Sequence, residues 1–166
     1  MAFFFKIRDF IKPRLDVVKE IGLKEGFRVL DYGCGPGSYI LPVANLIGNS
    51  GKIYALDINP ATIEMVKELA AKKQLSNVEV ILSDPDTGLL NESVDMVLVY
   101  DVFHDLKNRD ALLEELRRVL KPAGGLSLSD HHLKEEEIIS AITNGCLLKL
   151  LHRGKRTYSF GKTSAN

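Results

Sequence analysis

The stretch Val29-Leu30-Asp31-Tyr32-Gly33-Cys34-Gly35-Pro36-Gly37 governs how this chain folds. An apolar run enters it, three alternate glycines follow, and Ile40, Val43, Ala44 and Ile47 leave it at helical spacing. Strand, glycine turn and helix together form the unit with which an open parallel sheet binds nucleotides. Glycine is needed where a ligand passes close over the backbone, because a Cβ would collide with it. The helix start beyond the turn adds free N–H groups and a partial positive charge.

Working outward, 52–57 reads as the second strand and ends on Asp57, 22 positions after Gly35. A carboxylate there is placed to bind the ribose of an adenosine-containing ligand. The dinucleotide fingerprint G-x-G-x-x-G/A is spoiled, because Ser38 stands in its last position. Asp31, two residues before the first glycine, would repel a pyrophosphate but attract an ammonium. S-adenosylmethionine carries an α-ammonium and a sulfonium and has no phosphate, so the charge pattern favours it.

The rest of the chain alternates strands and helices, the pattern of βαβ units on a parallel sheet. Pro13 opens a short helix in which Leu15, Val18 and Ile21 share a face, and Gly22 closes it. Strands are expected over 27–32, 77–82, 94–100 and 126–130. Asn59-Pro60 and Asn108 start helices as N-caps, and Lys121-Pro122 ends the second of these. A further helix covers 135–144, and 146–152 with 156–160 form a closing hairpin. No repeat or linker divides the chain, so 1–166 reads as one domain with an N-terminal helical cap (1–24) and a terminal hairpin (145–162).

Composition narrows the function. The 166 residues can bury a substantial core. Lys+Arg and Asp+Glu both number 22, giving a net charge of zero, which argues against a general nucleic-acid binder. Two cysteines, Cys34 and Cys146, lie far apart without metal-ligand spacing, which fits a reducing cytoplasm and no metal site. The greasy opening Phe3, Phe4, Phe5, Ile7 and Phe10 is broken at Lys6, too soon for a signal peptide, and no run reaches the ~20 apolar residues of a membrane span. That segment is a lid, a homodimer or partner-subunit contact, a membrane-surface anchor, or packing on the domain's own flank.

The segment 29–37 resembles the first motif of the class I S-adenosylmethionine-dependent methyltransferases, and is most similar to the small-molecule branch that includes the ubiquinone/menaquinone-biosynthesis type. The resemblance extends over roughly 27–162. Segment 54–58 resembles the second motif, whose acid bonds both ribose hydroxyls; here that acid is Asp57, followed by Ile58. Ser83-Asp84-Pro85 resembles the third, where an acid meets the adenine amino group, and 95–104 the fourth, which runs beside the methionine moiety and includes Tyr100. The resemblance implies a three-layer αβα sandwich on a mostly parallel, seven-stranded Rossmann-like sheet of order 3-2-1-4-5-7-6, ending in an antiparallel hairpin.

It also implies S-adenosylmethionine as cofactor, with Asp31, Gly33, Cys34, Gly35, Gly37, Asp57, Ile58, Asp84, Pro85 and Tyr100 around it, S-adenosylhomocysteine as product, and a small-molecule methyl acceptor. Plainer roles compete at several positions: Asp57 and Asp84 also suit turns, and Cys34 suits a small buried site. His104 and His131 follow the fourth and fifth strands at the sheet's ligand-binding edge and are candidate bases. Adjacent histidines point different ways on a strand, so His131 and His132 do not suggest a two-histidine metal site. The rival functions are a nicotinamide-dependent reductase and an S-adenosylmethionine-binding module that is non-catalytic or active only with a partner.

Overall fold

The computed structural model describes residues 14–164. Strands β1 (Arg28–Tyr32), β2 (Lys52–Asp57), β3 (Val78–Leu82), β4 (Val94–Tyr100), β5 (Leu120–Ser129), β6 (Leu148–Arg153) and β7 (Tyr158–Lys162) form one sheet. Its order is β3-β2-β1-β4-β5-β7-β6. Neighbours among β1 to β5 run parallel, and β7 runs antiparallel to both β5 and β6. The strand order reverses between β1 and β4, and a crevice opens at such a switch point beyond the carboxyl ends of the strands.

Helices cover both faces because each strand sends alternate side chains to opposite sides. On one face Val29, Ile53, Ala55, Met96 and Leu98 pack with α1 (14–19), α2 (Ile40–Ile47) and α3 (Pro60–Lys72). On the other, Leu30, Leu56, Val97, Val99, Leu126, Leu128 and Phe160 pack with α4 (Arg109–Val119) and α5 (Glu135–Thr143). Burying one such side chain contributes ~1.5–3 kcal/mol, so the two faces hold most of the favourable free energy. The expected three-layer sandwich and strand order are the ones observed.

Both predicted asparagine caps form. Asn59 Oδ1 accepts the Ala61 N–H at 2.9 Å with Pro60 following, and Asn108 Oδ1 accepts the Ala111 N–H at 3.2 Å. Elsewhere the boundaries differ from expectation. β5 begins at Leu120, where α4 ends, and not at Leu126. Leu120 pairs with Val94, the register then shifts, and Gly125 pairs with Met96. The proline thus sits within an interrupted stretch of strand, where its missing N–H is tolerated. The hairpin strands start two residues later than expected, because Leu148 fills a fully buried place whereas Cys146 is exposed. Pro13 and the Phe-rich opening, with the roles weighed for them, lie outside the described residues. Among the described residues no helix is long and apolar enough to cross a membrane.

Candidate functional site

β1 leads directly into the glycine turn. Gly33, Gly35 and Gly37 all have φ in the left-handed region, between 50° and 83°. They serve different needs. A Cβ on Gly33 would lie 2.7 Å from Val102 Cγ2, so glycine is required for the close approach of the loop after β4. A Cβ on Gly35 would meet nothing within 4 Å, so space over that residue is open to a ligand. Gly37 packs against Leu69 and Val66 of α3.

Asp57, at the end of β2, faces this turn. Its Oδ2 accepts the Gly35 N–H at 2.9 Å and its Oδ1 the Asn59 N–H at 2.8 Å. The carboxylate is therefore held in one orientation by two backbone donors, with lone pairs left for further donors. Next to it Ile58 leaves 71% of its surface exposed, an apolar face at the sheet's carboxyl edge.

Asp31 is the most unusual group at the turn. It is buried, and among the described residues its Oδ2 has no hydrogen-bond partner. Burial, with the charge of Asp57 adding to it, pushes its carboxyl up to about 7. An isolated buried carboxylate is costly, and its presence calls for a cationic partner. Burial also raises the Cys34 thiol well above its ordinary range, and Cys34 Sγ lies 3.6 Å from the Gly35 carbonyl. Such a thiol packs; it does not attack.

Sequence alone missed the partner of Asp84: the Tyr32 hydroxyl donates to its Oδ1, fixing the Asp84-Pro85 turn to the end of β1. Tyr100 is buried and its hydroxyl is shared with Ser127 at 2.8 Å, so its polar end serves the sheet. Its ring meets Tyr39 edge-on, with centroids 4.7 Å apart.

A second group of side chains lies beyond β4 and β5. His104 Nδ1 is 2.9 Å from Asp130 Oδ2, whose side chain is fully buried, and the His104 N–H donates to the same oxygen at 3.0 Å. The His132 N–H donates to Asp130 Oδ1 at 3.0 Å. The hydrogen bond to Asp130 raises the His104 imidazole above its ordinary range, against some desolvation. Burial alone would raise Asp130, but the bonds from His104 and the two backbone amides outweigh it and hold the carboxyl low. His131 pairs with Asp101 at 2.6 Å, both largely exposed.

His131 and His132 follow β5, as expected, but in the turn there their side chains come together and do not point different ways. Their rings stand 3.9 Å apart, and His132 is 4.1 Å from His104. Three of the chain's 4 histidines thus meet at one place. Among the described residues no three His, Cys, Asp or Glu are gathered to hold a metal ion.

Comparison with known proteins agrees with this geometry. The family described as a methyltransferase domain matches residues 23–159. A crystal structure of a SAM-dependent methyltransferase from Aquifex aeolicus superposes with a TM-score of 0.79 and 31% identity, covering 90% of this chain and 87% of that one. An (S)-coclaurine N-methyltransferase from Thalictrum flavum subsp. glaucum is 35% identical over 102 residues, 61% of this chain and 28% of its own length. A demethylmenaquinone methyltransferase from Geobacillus sp. (strain WCH70) is 26% identical over 118 residues, 70% of this chain and 50% of its own length. The chain therefore spans half or less of these two curated relatives.

Proposed function

Because the chain belongs to the methyltransferase-domain family, we propose that it moves a methyl group from S-adenosylmethionine to a small-molecule acceptor. One observation carries the reading: buried Asp31 keeps an unpartnered carboxylate oxygen beside an open glycine turn that Asp57 faces. A ligand with an ammonium at one end and a ribose at the other answers both acids, whereas a pyrophosphate answers neither. When bound, S-adenosylmethionine supplies a methyl carbon made electrophilic by its sulfonium.

The chain's own residues do the rest. Asp31 takes the ammonium, and Asp57 accepts from the ribose hydroxyls with the lone pairs that Gly35 and Asn59 leave free. Ile58 offers its exposed face to the adenine, and Asp84, anchored by Tyr32 before Pro85, accepts from the adenine amino group. Gly33, Gly35, Gly37 and Cys34 keep the turn low, and Tyr100 walls the methionine side with its ring. Holding two reactants in line supplies up to ~7–11 kcal/mol of the barrier. His104 is the better of the two candidate bases, because a buried carboxylate orients it, while His131 and its partner are exposed. A base would add ~10²–10⁴-fold where the acceptor must lose a proton.

Calorimetric titration with S-adenosylmethionine and, separately, NADH tests the reading. Binding of NADH in place of S-adenosylmethionine overturns it. The Asp57→Ala variant is expected to lose at least about tenfold in affinity, the worth of one to two good hydrogen bonds, with its circular dichroism unchanged. Unaltered affinity would remove Asp57 from the ribose. A methyl-transfer screen over quinol, phenol, amine and thiol acceptors then separates an enzyme from a binding module.

A further inference from the structure

A cavity of about 220 Å³ lies where the end of β5, the start of α5 and the turn between β6 and β7 converge. The antiparallel return of β7 beside β5, with Leu128 opposite Tyr158, brings that turn to the same sheet edge as the histidines. Leu133, Ile138 and Tyr158 give the cavity an apolar lining, Asp130 forms one wall, and Lys155 and Arg156 stand in the turn. The volume is below the ~300 Å³ at which clefts for drug-sized ligands begin, so it suits a single ring or a compact head group.

The acids around it already have hydrogen-bond partners. Asp130 spends its charge on His104 Nδ1 and on the N–H groups of His104 and His132. Three other acids are engaged too: Asp101 by His131, Glu135 by Arg153 at 2.7 Å, and Glu20 by the Arg156 N–H and the Thr157 hydroxyl. Among the described residues Lys155 forms neither an ion pair nor a hydrogen bond. The cavity thus has a mixed lining, with Leu133, Ile138 and Tyr158 as its apolar part and Lys155 and Arg156 in the turn as its basic part.

We propose that this cavity receives the anionic group of the methyl acceptor, which is a small organic acid whose ring or chain rests on Leu133, Ile138 and Tyr158 while its carboxylate or similar anion meets Lys155 and Arg156. The proposal rests on the methyl-transfer reading for the word acceptor, and on the cavity itself for the class of ligand. The cavity shares Asp130 and His131 with the histidine group, so such an acid is separated from His104 by the Asp130 side chain that bonds its Nδ1.

The test uses two uncoupled measurements on the full chain. S-adenosylhomocysteine is first titrated by calorimetry; failure to bind sinks the methyl-transfer reading, whichever way the second measurement falls. Benzoate and benzyl alcohol, which share a ring and differ in charge, are then titrated by NMR chemical-shift perturbation. Benzoate is expected to bind about tenfold more tightly, with shifts at Leu133, Ile138 and Tyr158. Lys155→Gln should weaken benzoate by about three- to fivefold, the worth of an exposed charge pair, and leave benzyl alcohol unmoved. Lys149→Gln, the same charge change on β6 away from the cavity, should alter neither. Equal affinity for the two probes, binding of neither, or equal effects of the two lysine variants would overturn the proposal.

Discussion

Asp31 sets function against stability within a single side chain. Its folded value of about 7 lies above the 3.8 of the free group, so the folded state binds the proton more tightly. Stability is then lost as pH rises from about 4 to about 7, and the loss is complete above that. Asp31→Asn escapes this loss. Its advantage over the parent should grow by about 2–3 kcal/mol between about pH 5 and pH 8, or roughly 5–10 °C in Tm, while S-adenosylmethionine affinity collapses. Thermal melts at the two pH values check the first half and calorimetry the second; a constant difference in Tm would refute the buried charge. Asp130 makes a separate prediction. Its bond holds the His104 proton, so a base at His104 works only above a raised pKa. Asp130→Asn should move the acid limb of the kcat profile to lower pH and cut kcat about 10²-fold or less, leaving KM for S-adenosylmethionine near its parent value. An unmoved limb would make Asp130 purely structural. Neither pairing was legible beforehand, since His104 and Asp130 lie 26 positions apart in segments that follow different strands, and Tyr32 and Asp84 lie 52 apart. The turn acids and glycines were legible because their spacing is itself the geometry.

Elements show the same division between local and distant chemistry. The bounds of β2 and β4 and the start of α3 were readable because their signals sit within a few residues: an apolar run, a cap and a proline. Asn59→Ala removes the Ala61 bond and should cost about 1 kcal/mol, a fall of about 2–4 °C in Tm. Because the Asn59 N–H also helps orient Asp57, and that bond comes from the backbone, cofactor affinity should hold. A large loss of affinity in calorimetry would mean that the cap, and not the amide, positions the acid. β5 was misread for the opposite reason: whether Leu120 continues as strand depends on Val94 and the register shift beside it, which no local pattern encodes. The meeting of His131 with His132 is not legible for the same reason: in the turn after Ser129 adjacent side chains need not alternate as they do on a strand.

At the scale of the molecule, alternation along the strands gives two packed faces, and this much follows from periodicity. The order β3-β2-β1-β4-β5-β7-β6 does not, since pairing between β1 and β4 or β5 and β7 joins distant segments; it was reachable only through family resemblance. The same topology brings the ends of β1, β2, β4 and β5 and the hairpin turn to one edge, so that glycine turn, histidines and cavity adjoin. The orphaned oxygen of Asp31 has an effect beyond this edge. A ligand that binds only the folded form stabilises it by RT ln(1 + [L]/Kd), and here the ligand also removes an internal charge penalty. Susceptibility to digestion should therefore report occupancy. Thermolysin is expected to cut the empty chain many times faster than the chain saturated with S-adenosylhomocysteine, and the gap should widen in alkaline buffer. Occupancy of the site by either the methyl donor or its product would thus set how long the folded chain survives a protease.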